Sequence, residues 1–162
     1  MINSAYFLIG GNLGDRINNL ATARKLIEDK IGKIIKVSSV YETASWGITD
    51  QPKFLNEVLL VKTKFTPDET MQLIHGIENK MGRTRTQKNA SRVIDIDILF
   101  FNDAVIRQQH LTIPHPEIQN RKFALTPLHE IAPGLVHPVF KRTVKELLST
   151  TKDTLEVKLL NG

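Results

Sequence analysis

The stretch Arg92-Val93-Ile94-Asp95-Ile96-Asp97-Ile98-Leu99 alternates apolar and polar side chains with a period of two. That spacing predicts a strand with Ile94, Ile96 and Ile98 on one face and Asp95 and Asp97 on the other. Residues i and i+2 of a strand lie roughly 6.5–7 Å apart on the same side. Two carboxylates so placed repel each other, and aspartate is a poor strand former. A compensating cation would hold them there, and hard oxygen donors of this kind suit Mg²⁺. A solvated polar face paired with nearby Lys or Arg gives the same pattern. These eight residues do not choose between the two.

Working outward, residues 83–91 contain Ala90 as their only apolar member, and Arg83, Arg85, Lys88 and Arg92 place four cations just before the acidic pair. Arginine grips phosphate oxygens bidentately and lysine adds a point charge. A triphosphate needs both parts, carboxylates for its metal and cations for the remaining oxygens. Mutual neutralisation of acids and bases remains the alternative.

The rest of the chain frames that strand. Residues 5–9 read as a short buried strand that ends in a tight turn at Gly10-Gly11-Asn12-Leu13-Gly14. Ile17, Leu20, Ile27 and Ile31 then return to one helical face. Residues 34–43 are rich in β-branched side chains and read as a second strand. Residues 44–53 read as a loop, and 54–65 as a third strand. Thr66-Pro67-Asp68-Glu69 is a helix start with a capping box and proline at N1, and Gly82 ends that helix. After the acidic strand, Asn102-Asp103 predicts a hairpin turn and 105–113 another strand. Residues 117–131 read as helical in part, interrupted at Pro127. A second capping box begins at Thr143, and 155–160 alternate as a last strand. The order β-α-β-β-α-β-β-α-α-β predicts an α+β fold, a ferredoxin-like sandwich with a mostly antiparallel sheet and C-terminal additions.

With 162 residues, the chain is expected to form a single domain over 1–162. Lys and Arg number 22 against 17 Asp and Glu, for a net charge of +5, which favours anionic ligands. The absence of cysteine excludes disulfides and thiolate metal sites. Apolar runs such as Val58-Leu59-Leu60-Val61 are too short to span a bilayer, and the N-terminal residues lack a signal-peptide pattern. The expectation is a cytoplasmic enzyme or binding domain, with no membrane partner.

The glycines at 10, 11 and 14 lack both the phosphate-loop and the dinucleotide spacing. His115, between two prolines, forms a polar cluster with Thr112, Asn120 and Arg121, either structural or in contact with a nucleotide. Trp46, Phe54 and Phe123 lie in or beside loops, where an aromatic can stack on a flat heterocycle or pack into the core. Asn56 shares a strand face with Phe54, and its amide can read the edge of a planar ring.

Taken together, these residues resemble the 6-hydroxymethyl-7,8-dihydropterin pyrophosphokinase family. The resemblance rests first on Lys88-Asn89-Ala90-Ser91 running into the D-x-D strand. It extends to residues 10–14, 38–43, 50–56, 111–116, 120–123 and 127–133, nearly the whole chain. It implies transfer of the β,γ-pyrophosphoryl group of ATP to the hydroxymethyl group of the pterin, with release of AMP, in folate biosynthesis. By the same resemblance Asp95 and Asp97 hold two Mg²⁺ ions, and Arg83 and Arg92 assist transfer. Glu78, Arg85, Lys88, Ile98, Thr112, His115 and Arg121 contact ATP. Phe54 and Phe123 wall the pterin, Thr43 and Asn56 read its polar edge, and Ser45 and Trp46 complete that wall. The implied partners are ATP and the pterin, with no nucleic acid, and the implied state is a monomer.

Two other classes fit parts of the pattern. An RNA-binding module would use a similar sheet and basic loop, but the RNP aromatic run is missing and an acidic pair repels phosphate. A different Mg²⁺-dependent nucleotidyl- or phosphotransferase would share the D-x-D and differ in its acceptor.

Overall fold

β1 (Asn3–Gly11) takes in the apolar run at 5–9 and lies inside the main sheet, with Ala5, Phe7, Leu8 and Ile9 all buried. The structure, a computed structural model, describes residues 1–44, 52–82 and 93–160. Its other elements are α1 (Arg16–Lys30), β2 (Gly32–Val37), β3 (Tyr41–Thr43), β4 (Phe54–Thr63), α2 (Pro67–Lys80), β5 (Asp95–Phe101), β6 (Ile106–Arg107), β7 (Thr112–Ile113), α3 (Lys122–Ile131), α4 (Val144–Thr150) and β8 (Val157–Leu159). A 3-10 turn over Ile118–Asn120 leads into α3.

The main sheet runs β5-β1-β4-β3-β8, with β2 also paired to β4. The strand pairs among the described residues are antiparallel. Helices cover both faces, so the expected α+β architecture is present. Phe7, Ile9, Leu59, Ile96 and Ile98 pack on Leu20 and Ile27 of α1 and on Ile74 and Ile77 of α2. Leu8, Val58, Leu99 and Phe100 pack on Leu125 and Leu128 of α3 and on Val144 and Leu147 of α4.

A bulge divides β5 into two halves. Its register against β1 shifts between Tyr6, opposite Phe100, and Phe7, opposite Ile98, so Leu99 is the extra residue. Leu99 and Phe100 therefore both enter the α3–α4 core, and Phe101 returns to the α1–α2 core. The half before the bulge keeps strict alternation. Ile96 and Ile98 are buried while Asp95 and Asp97 are half-buried on the opposite face.

The local signals for helix starts hold. Thr66 with Glu69 and Thr143 with Glu146 both form complete capping boxes, and Asp15 caps α1 by accepting from the Asn18 amide at 3.0 Å. Five expectations need correction. The strand expected over 34–43 is two strands. Ser38 donates its amide to the Val58 carbonyl and accepts the Val58 amide on its hydroxyl, each at 2.9 Å, so a side chain replaces one rung of the ladder. The segment 105–113 is a two-rung hairpin, folded back where Gln108 and Leu111 exchange main-chain bonds. Pro127 does not interrupt its helix. It sits buried inside α3, and its missing N–H leaves the Phe123 carbonyl without an i+4 donor. Ile17 is 52% exposed and takes no part in the buried face of α1. Gly10 and Gly11 belong to β1, and the turn itself falls later, around Gly14 with φ +70°.

Candidate active site

The row of residues across the sheet at Asp95 organises the site. Asp95 stands opposite Gly10 of β1, Gly10 opposite Asn56 of β4, and Asn56 opposite Tyr41 of β3. Side chains of directly opposed residues share a face, so Asp95, Asn56 and Tyr41 all project toward the α3 side. Gly10, between Asp95 and Asn56 in the row, has no side chain, and the Asn56 amide takes that space. A Cβ there would overlap Asn56 Oδ1 and come within 2.7 Å of the Leu55 carbonyl oxygen. The Asn56 amide thus lies over Gly10, on the Asp95 side of its own strand.

Asn56 and Thr43 are 5% and 3% exposed, and Asn56 Nδ2 donates to Thr43 Oγ1 at 3.5 Å. Phe54 pairs with Thr43 at the start of β4 and is half-buried. Phe123, in the first turn of α3, packs against the core on this same face. The guanidinium of Arg121 lies 5.7 Å from the Phe123 ring centroid, within cation–π range. An amide and a hydroxyl next to aromatic rings suit a flat heterocycle with polar edges.

His115 is tied to the acidic strand from the other side. Its amide donates to the Leu99 carbonyl at 3.0 Å, and its Nδ1 accepts from the Glu117 amide at 3.1 Å. Desolvation, reinforced by the Arg121 charge, pushes its pKa down to about 4 against an upward pull from Glu117. The ring is therefore neutral near pH 7. Because Nδ1 accepts, its proton sits on Nε2, which is then a donor. A neutral donor beside an arginine can hold a phosphate oxygen. Thr112 lies close by in β7, its hydroxyl donating to the Gln108 carbonyl at 3.3 Å.

Two residues expected at the nucleotide sit deeper. Glu78 of α2 is 4% exposed, and its Oε2 accepts the amide of Ile96, the residue between the two aspartates, at 2.9 Å. Ile98 is 4% exposed in the α1–α2 core, on the face away from the carboxylates, so its main chain is what it can offer a ligand. Arg83, Arg85, Lys88, Arg92, Ser45 and Trp46 lie outside the described residues.

The donor set fits a hard divalent cation. Asp95 and Asp97 bring carboxylate oxygens to one strand face, next to Gly10. No group of three or more His, Cys, Asp or Glu suited to a metal occurs among the described residues. A cation on this pair would complete its shell with the oxygens of a bound anion and water, as Mg²⁺ commonly does. No helix among the described residues is long and apolar enough to cross a membrane.

Several residues that shape this face receive no role from the sequence, although Gly10, Ser39, Tyr41 and Glu130 lie in stretches that carry the resemblance. Gly10 reads there as part of a turn. Tyr41 and Ser39 are bonded to Glu130, and Asp153 accepts the Lys122 amide at the start of α3. All are contacts between distant parts of the chain and leave no local pattern.

An α+β sheet that offers paired carboxylates, a neutral histidine beside an arginine, and an amide next to aromatic rings suits a transferase moving phosphoryl groups to a flat acceptor. The chain belongs to the 7,8-dihydro-6-hydroxymethylpterin-pyrophosphokinase (HPPK) family, whose sequence profile matches residues 6–133. It is 41% identical over 143 residues to the 2-amino-4-hydroxy-6-hydroxymethyldihydropteridine pyrophosphokinase of Aquifex aeolicus, covering 88% of this chain and 89% of that one. The Bacillus subtilis protein of the same name is 42% identical over 132 residues, covering 81% and 79%. The folic acid synthesis protein fol1 of Schizosaccharomyces pombe is 37% identical over 145 residues, but this chain spans only 20% of its length. In fold, the chain matches the Plasmodium falciparum HPPK-DHPS crystal structure with pteroate at a TM-score of 0.77 and 21% identity, covering 92% of this chain and 44% of that one.

Proposed function

We propose that the chain acts as a single pterin pyrophosphokinase domain over residues 1–162. It transfers the pyrophosphoryl group of ATP to 6-hydroxymethyl-7,8-dihydropterin in folate biosynthesis. The hydroxymethyl oxygen bonds to the β-phosphorus, the bond from that phosphorus to the α-phosphate bridge breaks, and AMP leaves. Family membership supports the activity, and the Asp95–Gly10–Asn56 row carries the assignment of the site. In that row only glycine separates Asn56 from Asp95, and the Asn56 amide lies over it, which supports a reader of the ring's polar edge close to a carboxylate.

Phe54 and Phe123 hold the pterin between them, while Asn56 and Thr43 read its polar edge. Among the described residues, Thr112, Arg121 and the neutral His115 hold ATP in this reading, with His115 donating from Nε2. Arg83, Arg85, Lys88 and Arg92 supply the remaining cations, and Ser45 and Trp46 complete the pterin wall. Asp95 and Asp97 would hold Mg²⁺, two ions in this reading, whose chemistry is to neutralise the triphosphate and make the hydroxyl easier to deprotonate. Transfer of this type depends on positioning and charge stabilisation. The enzyme is expected to work in the cytoplasm as a monomer, without nucleic acid.

The test is product identity. With ATP, Mg²⁺ and the pterin, AMP should form in step with the pterin diphosphate, and no AMP should form when the pterin is left out. Stoichiometric ADP would overturn the assignment.

A further inference from the structure

α3 carries Phe123 near one end and Glu130 near the other, seven residues apart, about two turns at 3.6 residues per turn. Both side chains therefore lie on one side of the helix, toward the sheet. Glu130 is an exposed residue, yet both of its oxygens are engaged. Oε1 accepts from the Tyr41 hydroxyl at 2.6 Å. Oε2 accepts from the Ser39 amide at 2.9 Å and the Ser39 hydroxyl at 3.0 Å. Charge-assisted bonds of this kind are stronger than neutral ones. The phenol of Tyr41 is pushed up to about 12, first by desolvation and then by Glu130 itself, so it stays a donor at any working pH.

Tyr41 is no arbitrary anchor. It stands directly opposite Asn56 and two residues before Thr43 on the same strand face. One carboxylate thus joins the helix that bears Phe123 to the strand that bears Thr43 and pairs with Asn56.

We propose that Glu130 is a positioning residue that sets the gap between Phe123 and the Asn56–Thr43 edge, and so determines how tightly a flat heterocyclic acceptor is held. This rests on the reading that these residues bind the pterin, and the test separates the two. Pterin affinity is measured with Mg²⁺ and a non-hydrolysable ATP analogue present, and analogue affinity is measured separately. The proteins are the wild type, Glu130→Ala, Glu130→Gln, Tyr41→Phe and Phe123→Ala.

Glu130→Ala should weaken pterin binding about tenfold, and Tyr41→Phe about threefold, in line with losing several bonds or one. Analogue binding should stay within about twofold. Glu130→Gln should restore most of the pterin affinity. Its amide oxygen can accept from the Ser39 amide, while its NH₂ donates to the Tyr41 oxygen once that hydroxyl turns. Tyr41→Phe keeps the ring and its packing, so it decides the matter even if the alanine variant does not fold. The proposal fails if Tyr41→Phe and Glu130→Ala bind pterin like the wild type while Phe123→Ala does not. It also fails if both ligands weaken together, or if glutamine is as damaging as alanine. If Phe123→Ala binds pterin normally, the underlying reading of the site falls and takes this proposal with it.

Discussion

Gly10 and Asn56 face each other in the β1–β4 register, and the Asn56 amide fills the volume that a Cβ on residue 10 would occupy. Gly10→Ala must therefore displace Asn56 and also press on the Leu55 carbonyl, which is main chain and cannot swing aside. The expected result is a folded protein destabilised by about 1–3 kcal/mol, the usual cost of overpacking. Pterin affinity should fall more than nucleotide affinity. Thermal unfolding and separate binding titrations measure the two effects, and unchanged pterin affinity would contradict the proposed role of Asn56.

Asp97 is half-buried on a strand whose core contacts come from Ile96, Ile98 and Leu99. Asp97→Ala removes a charge without touching those apolar contacts. Turnover should drop by orders of magnitude while the fold survives. Circular dichroism together with the AMP assay checks both halves of that statement. Near-normal turnover would remove the carboxylate pair from the mechanism.

The folded-state pKa of His115, about 4, lies below its ordinary value of 6.5. Between these values the unfolded chain binds more protons than the native one, so stability rises with pH across the interval. The His115 contribution is fully present above pH 6.5 and is lost as pH falls through 4. A ring-proton NMR titration should give a midpoint near 4. The His115→Gln variant should lose less stability than the wild type over that window. A midpoint near 6.5 would show that the ring is not desolvated.

Asp153 accepts the Lys122 amide at 2.9 Å and the Leu155 amide at 3.0 Å. The N-cap residue of α3, Arg121, makes no side-chain capping bond of its own, so Asp153, 31 positions beyond the Lys122 amide it accepts, does that work. Asp153→Ala should cost about 1 kcal/mol, as cap removal usually does. Asp153→Asn keeps the acceptor and should cost less. Denaturant unfolding ranks the two, and equal losses would argue for a role of charge alone.

The features that could be read in the sequence were those whose causes are local. The alternation at 94–98, the boxes at Thr66 and Thr143, and the apolar run in β1 each arise from neighbours within a turn or a pleat. The split at Ser38 depends on Val58, twenty residues on. The continuation of α3 through Pro127 depends on burial that sequence spacing does not reveal. Gly10 reads as a turn because its importance comes from Asn56 on the next strand. Glu130 is invisible as a site residue because its partners lie about ninety positions back. On the site itself, pattern and resemblance named Asp95, Asp97, Asn56 and Phe123. The groups that hold them in place became evident only from the fold.

β5 ends the sheet, and an end strand normally offers its free main-chain groups to any passing chain. Here the Ile96 amide is taken by Glu78 and the Leu99 carbonyl by His115. The bonds that steady the acidic pair are the same bonds that blunt the edge. Weakening them is expected to surface as self-association in concentrated solution as well as slower turnover, which ties the protein's colloidal behaviour to the geometry of its acidic pair.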